Sequence, residues 1–128
     1  TRAIVIKLAK EYKLMISRFL GEQDVEGWYF AKPEDKPDSI LQSLSKTKYG
    51  VTNLLVFHVG LQSAEMDAME DLNPFGPKEM SRHRQGELNG LLSPEFQNQI
   101  RNGTYRIINY SMLIKEKGLQ NMKSPFSD

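Results

Sequence analysis

Cysteine is absent from the 128 residues. That removes disulfide frameworks, cysteine nucleophiles and thiolate zinc sites together, and it suits a reducing compartment. No apolar run approaches the ~20 residues of a membrane span, and the N-terminus lacks the hydrophobic stretch of a signal peptide. The expectation is a soluble, cytoplasmic protein without membrane contact. The chain starts at Thr1 rather than at methionine and ends at Asp128, so it reads as a processed or truncated piece. Also missing are a Gly-x-Ser-x-Gly or Ser-x-x-Lys nucleophile context, a Walker phosphate loop, and the signatures of RNP, KH and zinc-finger modules. No cofactor is expected.

A dominant charge is lacking too. The formal net charge is +1, but it is distributed in blocks. Residues 1–20 hold five bases against one acid (+4), and residues 22–38 hold two bases against six acids (−4). Residues 61–77 hold four acids and no base (−4), and residues 78–106 five bases against three acids (+2). Blocks of opposite sign can attract within a fold or between copies of it. They do not form the uniform basic footprint of a strong nucleic-acid binder.

What is present is an ordinary globular composition, 39% apolar and 26% charged, in a chain long enough to bury one core. Residues 51–59, Val-Thr-Asn-Leu-Leu-Val-Phe-His-Val, are β-branched and aromatic between Gly50 and Gly60. They place apolar side chains on both faces of a pleat, which predicts a central strand covered above and below. Further strands are predicted at residues 2–7, at Trp28-Tyr29-Phe30-Ala31 and at residues 104–110.

Helical spacing of Leu8, Tyr12, Met15, Ile16 and Phe19, with Gly21 as a C-cap, predicts a first helix; a strand over residues 13–20 is the alternative. Further helices are expected after Asp38 or Ser39 to near Tyr49, over residues 61–72 and 78–91, and from Pro94 to residue 101 with Ser93 as N-cap. The segment 73–77, Asn-Pro-Phe-Gly-Pro, should break the chain. Asn102-Gly103-Thr104 matches a glycosylation sequon but reads as a turn. The resulting fold class is α/β: a single compact domain over residues 1–119, a mixed sheet of about four strands with helices on both faces, and a flexible tail over residues 120–128.

Four groups of residues carry candidate chemistry. His58, near a strand end, has the position of a general base, with Glu65 or Asp67 as its orienting carboxylate; the plainer reading is a core histidine. Glu79, His83 and Glu87 follow i, i+4, i+8 spacing, which suits either a metal or solvated ion pairs with Arg82 and Arg84. Lys10 and Lys13 form one basic strip, and Arg82, Arg84, Arg101 and Arg106, interleaved with Tyr105, form a second that would fit phosphates and stacked bases. Trp28, Tyr29 and Phe30 are successive, so on a strand at least one ring faces away from the other two. Phe75 is a further anchor candidate.

In the absence of a catalytic constellation, these features favour a non-catalytic interaction module. It would be a homodimer or other homo-oligomer serving as an accessory or assembly subunit of a larger complex, for which a nucleoprotein or phage particle is one setting. The alternatives are an RNA or single-stranded nucleic-acid-binding accessory protein, and a small hydrolase-type enzyme centred on His58.

Overall fold

The structure is a computed structural model that describes residues 2–14, 22–70 and 72–121. It is a mixed α/β chain of helices and a two-stranded parallel sheet. In order the elements are α1 (Arg2–Glu11), β1 (Gln23–Val25), α2 (Lys36–Ser45), β2 (Asn53–Leu55), α3 (Ala64–Asp67), α4 (Met80–Leu92), α5 (Pro94–Arg101) and α6 (Tyr110–Lys117). Short 3-10 turns lie at Pro33–Asp35 and Leu119–Asn121. The chain divides into two compact units, one of residues 1–23 with 108–128 and one of residues 24–107.

In the larger unit Trp28, Ile40, Leu44 and Phe96 are buried together. Val25, Leu55 and Phe57 from the sheet region, and Leu91, Ile100 and Tyr105 from the helical end, pack around them. The Tyr105 hydroxyl donates to the Leu44 carbonyl at 2.9 Å, serving the C-terminal end of α2. Helix α4 packs on α2, on the turn at residues 33–35, on α3 and on α5. Its approach to α2 depends on two small residues. A Cβ at Gly86 would overlap the Pro33 carbonyl oxygen, and one at Gly90 would meet Ile40 Cδ1 and the Pro37 backbone.

The sheet is smaller than the four strands expected, for reasons visible in the hydrogen bonds. In residues 51–59 only Asn53–Leu55 is a strand, and Val56 and Val59 are exposed. Beyond β2 the backbone turns to α4: the His58 N–H donates to Glu87 Oε2 at 2.6 Å and the Gly60 N–H to the Arg84 carbonyl at 3.4 Å. These groups are therefore not held in a strand ladder, and the segment is not sandwiched in mid-sheet. Residues 28–31 form a turn, with the Ala31 N–H donating to the Trp28 carbonyl at 3.1 Å. Residues 104–109 are turn and irregular chain, and Asn109 caps α6 by accepting from the Met112 N–H.

The expected strand at residues 2–7 is instead part of α1. Its β-branched Ile4-Val5-Ile6 run is outweighed by Ala3, Lys7, Leu8, Ala9, Lys10 and Glu11, which favour helix. The helix stops well before Gly21, with Lys13 at φ 52° supplying a left-handed C′ residue. The Lys13 N–H donates to the Lys10 carbonyl and the Leu14 N–H to the Ala9 carbonyl, a Schellman closure. Met15, Ile16 and Phe19, the rest of the expected first helix, lie outside the described residues, as does its alternative strand from residue 15 onward. This smaller unit also contains α6, with Ala9 and Leu113 buried and the Tyr110 hydroxyl donating to Glu22 Oε1 at 2.9 Å.

Several helix expectations hold. Helix α5 begins at Pro94 with the Ser93 hydroxyl accepting from the Phe96 N–H, and α4 occupies Met80–Leu92. Helix α2 begins earlier than expected and ends at Ser45. The third is much shorter than residues 61–72, only Ala64–Asp67, with Ser63 as its cap. Glu70 therefore lies beyond a helix, and Asp71 is outside the described residues. The break at residues 73–77 is a turn closed by the Gly76 N–H on the Asn73 carbonyl. Asn102 also sits in a turn, its side chain accepting from the Thr104 N–H. Residues 122–128 of the expected tail are outside the described residues; Gln120 and Asn121 belong to the last 3-10 turn.

Candidate functional site

Lys36 and Glu87 are the most telling pair in the larger unit, and both are buried, at 0% and 2% exposure. A lysine opening α2 faces the positive end of the helix dipole, which disfavours a cation. Burial adds a desolvation cost. Both are offset locally, because Gly86 lets α4 approach closely enough for the Glu87 carboxylate to reach Nζ at 2.9 Å. Nζ also donates to the Trp28 carbonyl at 2.9 Å and the Tyr29 carbonyl at 3.2 Å. The three ammonium protons thus have three acceptors. The second carboxylate oxygen of Glu87 is taken by the His58 N–H.

This arrangement leaves Lys36 without a free donor or solvent access, and its chemistry is mechanical. It clamps two short segments, residues 28–30 and 56–59, against α2 and α4. On the inner side the Trp28 ring stacks on Phe57, centroids 4.9 Å apart and planes at 18°. Outward, Tyr29 makes edge contacts with Phe30 at 4.7 Å and with the His58 ring at 5.9 Å. Phe30 is 73% exposed. Of the three successive aromatics, Trp28 is therefore a core residue, Tyr29 is half-buried and Phe30 is presented to solvent. Phe75 is likewise exposed, in its own turn.

The other candidates are dispersed. The His58 imidazole has Tyr29 as its ring neighbour, and no hydrogen bond or ion pair among the described residues joins it to Glu65 or Asp67. Asp67 instead accepts from Gln62 at 3.4 Å. It lines, with Glu70, Lys78, Glu79 and Arg82, a cleft of about 520 Å³ whose charges are of both signs.

In the Glu79–His83–Glu87 row, Glu87 is committed to Lys36 and Glu79 to Arg82 through two contacts of 3.0 Å. Among the described residues no group of three histidines or carboxylates is placed to hold a metal ion. His83 is half-buried, and its Nδ1 has no hydrogen-bond partner among them. Burial first, and then the Lys36 ammonium and the Arg82 charge, push its pKa below the ordinary 6.5, against the pull of Glu79 and Glu87.

Two of the arginines are engaged by neighbouring side chains. Arg82 pairs with Glu79, whose hydrogen bond and charge raise the guanidinium pKa, and it lies 3.8 Å from Glu34. Arg101 donates to Asn98, Arg84 is half-buried, and the Tyr105 hydroxyl is used by Leu44. Arg106 is exposed; Lys10 and Lys13, also exposed, belong to the smaller unit.

Lys36 was not among the candidates from sequence. Its signal was a lysine between Pro33 and Pro37 at a helix start, together with the Gly86-Glu87-x-x-Gly90 pattern that marks a close helix approach with a carboxylate beside it. Comparison of this chain with family models, with curated proteins and with solved structures finds no match. Among the described residues no helix is long and apolar enough to cross a membrane.

Proposed function

We propose that this protein is a non-catalytic interaction module that associates with copies of itself, as an accessory or assembly subunit of a larger complex. One observation carries the reading. Phe30 is 73% exposed, yet its turn is tied through the Trp28 and Tyr29 carbonyls to a buried ion pair. A large exposed ring on a fixed backbone loses little conformational freedom on binding, which is the property of an interface anchor. Val56 and the His58 side chain, both exposed, lie on the neighbouring segment and extend the surface. The block distribution of charge supports a second copy as the partner, because each copy carries both signs in separate stretches.

The test is sedimentation velocity across micromolar concentrations. The wild-type chain is expected to show a concentration-dependent shift to larger species, and Phe30→Ser to weaken it without altering the far-ultraviolet circular dichroism. A single monomeric species at every concentration overturns self-association.

A further inference from the structure

Helix α1 carries an exposed apolar face. Ile4, Val5, Leu8 and Tyr12 are between 44% and 64% exposed. At about 100° per residue they fall within an arc of about 100° on one side of the helix. Tyr12, one residue beyond the helix end, keeps this register because its N–H donates to the Leu8 carbonyl at 2.9 Å. The buried Ala9 lies beside the arc on one side and the exposed Glu11 on the other. Lys7 and Lys13 are exposed, and neither makes an ion pair among the described residues.

A stretch of matching character is formed by residues 61–70 and 72–75. Leu61, Met69, Leu72 and Phe75 are exposed there, Leu72 to 91%. Glu65 and Glu70 are exposed between them and likewise make no ion pair among the described residues. The sequence carries +4 over residues 1–20 and −4 over residues 61–77.

We infer that the apolar face of α1, in a stretch of chain with an excess of basic residues, docks on the apolar, acidic stretch of residues 61–70 and 72–75 of a second copy of this chain. The inference rests on the self-association proposed above but assigns it a separate pair of surfaces. An anionic lipid surface is the weaker fit. The net charge is only +1, and the acidic stretches would be repelled by such a surface. Because the two surfaces differ, the contact is head-to-tail: it closes into a ring or grows as a filament rather than pairing two copies alone. Its charged part is screened by salt.

The experiment uses the full chain and two charge-reversed variants, Lys7→Glu with Lys13→Glu, and Glu65→Lys with Glu70→Lys. Their folding is checked by circular dichroism and their size by sedimentation at about 0.01 M and about 1 M salt, where the Debye length is ~30 Å and ~3 Å. Each variant alone is expected to associate about tenfold more weakly than wild type at low salt. An equimolar mixture should regain association, since the acidic α1 of one meets the basic segment of the other. Failure of the mixture to recover overturns the inference. If charge reversal has no effect while Phe30→Ser disperses the oligomer, the α1 contact falls and the self-association reading stands. A monomer under all conditions removes both. Co-sedimentation of a monomeric wild-type chain with phosphatidylserine vesicles, abolished by Leu8→Glu, would replace the second copy with a lipid surface.

Discussion

Replacing Glu87 by glutamine keeps the side chain's shape and removes its charge. Lys36, at 0% exposure, would lose its counter-charge, and the single amide oxygen could accept from either Lys36 Nζ or the His58 N–H, leaving the amide NH2 against the other donor. Breaking a buried pair in this way costs about 3–5 kcal/mol, a large share of the ~5–15 kcal/mol by which a domain is stable. The thermal midpoint should fall by more than about 10 °C. Lys36→Met should cost a similar amount, since it strands the carboxylate.

The double variant Lys36→Met with Glu87→Leu leaves no buried charge. It leaves unpaired the Tyr29 carbonyl and the His58 N–H, while the Trp28 carbonyl keeps the Ala31 N–H, a deficit of about 1–3 kcal/mol for each unpaired group that stays buried. Its loss should therefore be smaller than the sum of the two single losses by at least about 2 kcal/mol. Urea denaturation followed by tryptophan fluorescence suits the measurement, because Trp28 is the sole tryptophan and its own carbonyl accepts from Lys36. A cost below about 1 kcal/mol for Glu87→Gln, or single losses that add within ~0.5 kcal/mol, would refute the clamp.

Gly86→Ala drives a methyl group into the Pro33 carbonyl and should destabilise by about 1–3 kcal/mol, read by urea titration; a stabilised variant would show that α4 does not approach the 33–35 turn so closely. His83 has a lowered folded pKa, so the unfolded chain takes up the proton first and stability should decline as pH falls through about 6.5. That decline should be shallower in His83→Gln, measured by urea midpoints between about pH 5 and pH 8. Lys13 holds a left-handed backbone conformation that costs a non-glycine residue about 1 kcal/mol. Lys13→Gly should therefore raise the thermal midpoint by a few degrees, and a lowered midpoint would contradict the Schellman closure.

The segments read correctly from sequence are those whose cause is local. Ser93-Pro94 begins a helix because the serine caps and the proline needs no N–H bond. Asn73-Pro74-Phe75-Gly76-Pro77 breaks the chain because its prolines and glycine cannot continue a helix. Misreading came where β-branched or aromatic residues suggested strands. Ile4-Val5-Ile6 is helical with its neighbours, and Trp28-Tyr29-Phe30 turns because its carbonyls serve a lysine side chain. The succession of three rings left open whether any of them is exposed; Phe30 is exposed because the chain turns at residues 28–31 while Trp28 packs against Phe57.

By itself the amino-acid order determined the caps, the breaks, the exclusion of thiol chemistry and the alternation of charge blocks, since each depends on residues near one another in the chain. Tertiary structure decided the rest. The Lys36–Glu87 pair joins residues 51 positions apart, and its formation depends on the close approach that Gly86 allows. Once formed, that pair takes up backbone groups a longer strand would have used, which is why a run rich in Val, Leu and Phe gives only a three-residue strand.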